Sequence, residues 1–382
     1  MIYLDHSATT PTDPRVVETM LPYFTTVFGN ASSAHRIGHQ AQSAIEQARE
    51  TIAGVLNCQP HEIIFTSGGS ESDNLAVRGV AWTQRKRGKH LVTTAIEHGA
   101  VGKTITQLAD TQGFECSILP IDSTGKVSLH EVSNALRLDT TLLSVMYANN
   151  EIGTIQPIPQ LADLAHERGV IFHTDAVQAA GQLSLDVQKL GVDLMSLSAH
   201  KFYGPKGIGA LYIRDGIEIA PAQTGGGHER GLRAGTHATP LIVGFAKALE
   251  LAYQELETRN AHFQTLRDAL IKGVLNTIPG AVLTGHPHDR LPSHASFVIE
   301  EIHGSFLISY LDEKGIAASG ASACKAGSQA PSSVLLALGY SPELASASLR
   351  LTVGTHTTQR DIEETIRTLA IAVKNLQRVA VA

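Results

Sequence analysis

Glu62-Ile-Ile-Phe-Thr-Ser-Gly-Gly-Ser-Glu-Ser72 changes character twice within eleven residues. Its first part, through Thr66, is apolar and β-branched, which reads as a buried strand. Ser67-Gly-Gly-Ser70 breaks that strand, and a helical pattern resumes at Glu71. Glycines at such a junction let backbone approach an anion, and the free N–H groups of a helix start favour a phosphate. A plain strand–helix turn would carry the same residues.

Working outward, the same alternation recurs. From His35 to Leu56 the apolar positions Ile37, Ala41, Ala44, Ile45, Ala48, Ile52, Val55 and Leu56 fall at helical spacing. Downstream, His90–Thr94, Leu142–Tyr147, Val170–Thr174, Leu194–Leu197 and Gly209–Ile213 read as strands, with a helix over Ile158–Arg168 among the intervening segments. Strands alternating with helices predict a mainly parallel sheet covered on both faces. Ligands of such sheets sit beyond the C-terminal strand ends. A long helix is expected from about Pro240 to Pro279, and another over Asp361–Val379. The expected division is a large domain, 15–255, and a smaller one built from 1–14 and 256–382.

Bulk properties narrow the class. Hydrophobic residues make up 43% of the 382 and charged residues 17%, the balance of a globular chain. With net charge −6 and no long basic block, neither nucleic acid nor an anionic membrane is an expected partner. The N-terminal residues lack a signal-peptide pattern, and no apolar run reaches membrane-spanning length. Cys58, Cys116 and Cys324 are too few for a disulfide framework, so reduced thiols in the cytoplasm are expected. The 18 histidines form no convincing zinc pattern, so no metal is expected.

Two further strand ends carry reactive side chains. Asp175 closes Val170-Ile-Phe-His-Thr-Asp175, where a carboxylate can pair with a protonated ring nitrogen or cap the next helix. Gln178 lies one helical turn on. Lys201 closes Ser198-Ala-His-Lys201, where a semi-buried amine can form a Schiff base. Lys206, in Gly204-Pro-Lys-Gly207, competes for that role from a turn expected to point outward. A phosphate turn, a ring-nitrogen carboxylate and an amine, in that order at strand ends, are the handles pyridoxal 5'-phosphate requires. Lys201 follows Asp175 by 26 positions, room for one crossover.

These motifs extend almost end to end. They include Tyr3-Leu-Asp-His-Ser-Ala-Thr-Thr-Pro11, Gly29-Asn-Ala-Ser-Ser-Ala-His35, Thr66–Asn74, Glu97-His98, Asn149-Asn-Glu-Ile-Gly153, Asp175-Ala-Val-Gln178, Ser198–Gly209, Arg230-Gly-Leu-Arg-Ala-Gly-Thr236 and Ser322-Ala-Cys324. Together they resemble the cysteine desulfurases of the NifS/IscS type, within the class V aminotransferases. The resemblance implies an aminotransferase-like α/β fold, with a mainly parallel seven-stranded sheet in the large domain and a smaller α+β domain. It implies that Lys201 binds the cofactor covalently, that Asp175 pairs with the pyridine nitrogen, and that His98 stacks on the ring and assists proton transfer. Gly69, Ser70, Ser198 and His200 would bind phosphate, with Thr236 reaching the phosphate of a neighbouring subunit in a homodimer. Asn150 and Gln178 would contact ring substituents, and Asn30 and Arg350 the carboxylate of L-cysteine.

Cys324 narrows the implied reaction. Its segment Ala318-Ser-Gly-Ala-Ser-Ala-Cys-Lys-Ala-Gly327 is small and polar, which predicts an exposed mobile loop, and Lys325 favours the thiolate. The resemblance implies that Cys324 takes the substrate sulfur as a persulfide and passes it to an acceptor or scaffold protein. Cys58 and Cys116 read as ordinary packing or surface thiols. Relatives of this type often have Thr or Ser where Lys325 stands, and Ala-Thr where Gly69-Ser70 stands; the hydroxyl at Ser70 is kept.

Overall fold

The structure, a computed structural model, describes residues 1–320 and 330–381, with side chains as far as Leu376. Its strands are β1 (Ile2–Tyr3), β2 (Ile63–Thr66), β3 (His90–Thr94), β4 (Glu115–Leu119), β5 (Thr140–Ser144), β6 (Ile171–Asp175), β7 (Leu194–Ser198), β8 (Gly209–Ile213), β9 (Ala281–Leu283), β10 (His294–Ile299), β11 (Ile316–Ala317) and β12 (Ser348–Thr352).

Seven of them form one sheet in the order β2-β8-β7-β6-β5-β3-β4. The run from β7 to β4 is parallel, and β8 is antiparallel to both of its neighbours, β7 and β2. This is the mainly parallel seven-stranded sheet implied by the resemblance. The apolar runs alternate between two faces. Phe65, Val92, Leu143 and Phe172 enter one core, with the helix Arg36–Leu56. Their neighbours Ile64, Leu91, Leu142 and Ile171 enter the core on the other face, with the helices Gly69–Gln84 and Gly99–Gln112. Burial on both faces is why these strands read as unbroken apolar runs.

The chain reverses direction across the sheet next to β3, since β4 pairs on one side of it and β5 on the other. That is a switch point, where crevices open at the C-terminal strand ends. A second core surrounds the antiparallel sheet β12-β10-β9. It collects Phe297, Leu349 and Leu351 from the strands, Phe263, Leu270 and Leu369 from helices, and Leu4 from the N-terminal segment. The segment also pairs through β1 with β11.

The single long helix expected between Pro240 and Pro279 is two helices, Thr239–Gln254 and Leu256–Thr277. Glu255 separates them at φ −106° and ψ 10°, outside the helical region. Its carboxylate receives Arg15 Nη1 at 2.6 Å and Arg259 Nη2 at 2.6 Å. The break lets the first helix pack on the large core and the second on the small one. Other boundaries move by a few residues. The helix expected from Glu71 begins at Gly69, β5 starts at Thr140, and the last helix runs Gln359–Val381. Among the described residues, no helix is long and apolar enough to cross a membrane.

Candidate active site

A cavity of about 270 Å³ opens at the C-terminal ends of the parallel strands. It is lined by Gly69, Ser70, His98, Asn150, Asp175, Gln178, Ser198, His200, Lys201 and Arg350, ten of the residues singled out in the sequence.

Most arrive from the ends of strands in the large sheet or the turns after them, and Arg350 comes from the middle of β12. After β2, Gly68 adopts φ +152°, a backbone region essentially reserved for glycine, and the helix Gly69–Gln84 starts immediately. Its first-turn N–H groups lack intrahelical acceptors, so they form a ready cradle for an anion. Ser198 ends β7 on the same rim, and His200 follows in a short 3-10 turn. Burial pushes the His200 imidazole down to about 4, helped by Lys201 and Lys206, so it is neutral near pH 7.

Asp175 is the last residue of β6 and is 5% exposed. One of its oxygens accepts the Val177 N–H at 2.9 Å, so part of the helix-cap reading holds too. Burial raises its pKa, while His98 and Lys201 pull it down. His98 caps the helix Gly99–Gln112 by accepting the Ala100 N–H at 3.2 Å. Donor atoms of Asp73, His98 and Asp175 all lie within 4.8 Å of one another.

Lys201 Nζ donates to the carbonyls of Ser7 at 2.5 Å and Ala8 at 2.9 Å. Gln178 Nε2 donates to that Ser7 carbonyl at 2.9 Å. The N-terminal segment therefore forms one wall. Lys206 lines a separate cavity with Met1, His6 and His356, so only Lys201 of the two candidate amines shares a cavity with Asp175. Arg350, which also lines the cavity, is 2% exposed. It donates from Nη1 to the Asn150 carbonyl at 3.0 Å and from Nη2 to Asp5 at 2.8 Å.

Three residues fall outside this cluster. Asn30 is exposed, accepts the Ser32 N–H at 2.9 Å and does not line the cavity. Thr236 is likewise exposed and off the cavity wall. Cys324, with the rest of 321–329, lies outside the described residues. Ser7, Ala8, Asp73, Met146 and Val177 also line the cavity but were not singled out. Ser7 and Ala8 present backbone carbonyls to Lys201, which no side-chain motif reveals. Asp73 lay inside the Thr66–Asn74 motif, where glycine and serine drew the reading.

The helix start at Gly68-Gly69 suits an anion, and the buried Asp175 carboxyl suits a basic nitrogen. The profile of the aminotransferase class-V family matches residues 2–365. The chain belongs to that family. Within it, the chain is of the NifS/IscS cysteine desulfurase type. A cysteine desulfurase IscS of Methanosarcina thermophila is 48% identical over 379 residues, covering 99% of this chain and 93% of the relative. The IscS of a Neisseria meningitidis serogroup C strain is 46% identical over 365 residues, covering 95% and 89%. A solved NifS-like protein superposes with a TM-score of 0.92 at 38% identity, covering 98% of this chain and 99% of that one. A structure of SspA in complex with cysteine superposes with a TM-score of 0.82 at 37% identity, covering 94% and 100%.

Proposed function

We propose that this chain is a pyridoxal 5'-phosphate-dependent cysteine desulfurase, converting L-cysteine to L-alanine and holding the sulfur as a persulfide on Cys324. The observation that supports this best is the convergence of Lys201, Asp175, His98 and the Gly68-Gly69 turn on one cavity that also contains Arg350.

When bound, the cofactor supplies an electron sink for the charge left when the substrate α-proton departs. The residues divide the remaining tasks. Gly69, Ser70, Ser198 and His200 would hold the phosphate, and Asn150 and Gln178 would contact ring substituents. Asp175 presents a carboxylate to the ring nitrogen and keeps a proton there. His98 would pack against the cofactor and assist proton movement. Lys201 would anchor the cofactor and would also be the base for the α-proton, on Nζ; the Ser7 and Ala8 carbonyls hold that amine in place. Arg350 orients the substrate carboxylate through its planar fork, with Asn30 as its proposed helper. Cys324 receives the sulfur: the C–S bond of cysteine breaks, an S–S bond forms on the enzyme, and alanine leaves.

The working form proposed is a cytoplasmic homodimer in which Thr236 completes the phosphate site of the neighbouring subunit. The proposed division remains 15–255 for the cofactor-binding domain, and 1–14 with 256–382 for the domain carrying Cys324. The persulfide then passes to a sulfur-acceptor or scaffold protein.

The deciding experiment measures alanine and enzyme-bound persulfide after adding L-cysteine to the cofactor-loaded protein. Equal amounts of both are expected in the first turnover. Cys324→Ala should keep the visible cofactor band and form neither product. Full alanine formation by that variant would overturn the role of Cys324.

A further inference from the structure

Asp73, on the helix Gly69–Gln84, lines the cavity and is 1% exposed. Its Oδ1 has no hydrogen-bond partner and lies 3.7 Å from Nε2 of His173. Behind it runs a polar row across three adjacent strands, each residue fully buried. Ser144 on β5 meets His173 Nδ1 at 2.8 Å, and Ser196 on β7 meets His173 Nε2 at 3.0 Å. Burial drives His173 down to about 3, so the imidazole is neutral and supplies no positive charge to Asp73.

Asp73 faces Asp175 and Glu97, the imidazoles of His98 and His173, and the Ser196 hydroxyl. Asp175 and Glu97 both oppose its ionisation, and burial opposes it more strongly still; only the Ser196 hydroxyl favours the charged form. Asp175, by contrast, has His98 and Lys201 acting in favour of its charge. Among the described residues, no lysine or arginine makes an ion pair with Asp73. His98 lies within 4.8 Å of both carboxyls, whereas Lys201 favours the charge of Asp175 and not that of Asp73, so a proton shared by two buried carboxyls this close belongs on Asp73.

We propose that Asp73 keeps that proton at neutral pH and acts as a positioning residue, leaving Asp175 as the one ionised carboxylate available to the ring nitrogen. The neutral acid fixes the carboxylate charge there at one. The Ser144–His173–Ser196 row serves as its polar backing. This deepens the proposed function and rests on it for the identity of the ring.

The test is infrared spectroscopy of wild type minus Asp73→Asn at neutral pH, on both cofactor-stripped and cofactor-loaded protein. The expected result is a carboxylic-acid C=O stretch present in wild type and lost in the variant. Loss of a carboxylate band instead would overturn the proposal. Asp73→Ser provides the same subtraction if the Asn variant does not fold. In the loaded protein, the alkaline part of the visible band's pH profile should differ between wild type and Asp73→Asn, because Asp73 ionises only in wild type; identical profiles would also overturn it. A wild-type protein that stays colourless with added pyridoxal phosphate sinks the cofactor reading, while the stripped-protein spectrum still decides Asp73.

Discussion

Arg350 Nη2 lies 2.8 Å from Asp5 Oδ1, joining two residues 345 positions apart in the chain. The other oxygen of Asp5 accepts the Ser319 hydroxyl at 2.7 Å. The pair ties the N-terminal segment to β12 and turns the guanidinium toward the cavity. Asp5→Asn removes the charge that compensates a buried arginine, a loss of roughly 3 kcal/mol at the lower end for broken buried pairs. Urea unfolding should show that decrease. Arg350→Lys should raise KM for cysteine at least about tenfold, because the fork that matches a carboxylate is gone. An unchanged KM would remove Arg350 from the substrate site.

Lys201 and Lys206 are separable by chemistry. After borohydride reduction and denaturation, the cofactor should remain attached to wild type and to Lys206→Ala, and wash off Lys201→Ala. Retention on Lys201→Ala would transfer the anchor to another amine.

Cys58 and Cys116 should be poor nucleophiles. Burial pushes their thiols up to about 12 and about 11 respectively. Because the thiolate is the reactive form, iodoacetamide near pH 7 should inactivate the enzyme through Cys324. Peptide mapping should find the label there first, and Cys58→Ser with Cys116→Ser should leave the inactivation rate unchanged.

Glu229 anchors the loop leading to Thr236. Its buried carboxylate takes Arg49 Nη2 at 2.9 Å, His237 Nε2 at 2.6 Å and the Phe65 N–H at 2.8 Å. Glu229 itself sits at φ +46°, so the loop needs this clamp to hold an uncommon backbone state. Its partners hold the carboxyl down at about 2 despite burial. A depressed carboxyl contributes stability above its unfolded pKa, near 4.3, and loses it as pH falls toward the folded value. The contribution is on the order of 3 kcal/mol at neutral pH. Denaturation curves should therefore show Glu229→Gln destabilised at pH 7, with the difference from wild type shrinking between about pH 4.5 and pH 2.

Reading the chain from sequence succeeds where one residue's neighbours in the chain are also its physical environment. Thr66-Ser-Gly-Gly-Ser70 shows its strand, its turn and its helix start because local backbone geometry dictates all three. Asp175 and Lys201 declare themselves as polar residues closing apolar strands. The split at Glu255 is different: helical periodicity continues through it, and the break comes from two separate cores and from Arg15, 240 positions away. Asp73 is hidden for the same reason, since a carboxylate on a helix looks solvated until the sheet closes beneath it.

The sequence by itself determined the α/β class, the order of the strand-end groups and the presence of Cys324, because these depend on periodicity and residue chemistry. Only the tertiary structure decided that the carbonyls of Ser7 and Ala8 receive Lys201, that Asp5 pairs with Arg350, and that Asp73 lies against Asp175. Those relationships join segments brought together by the burial of two cores. Their energies depend on distance and desolvation, quantities that sequence spacing does not contain.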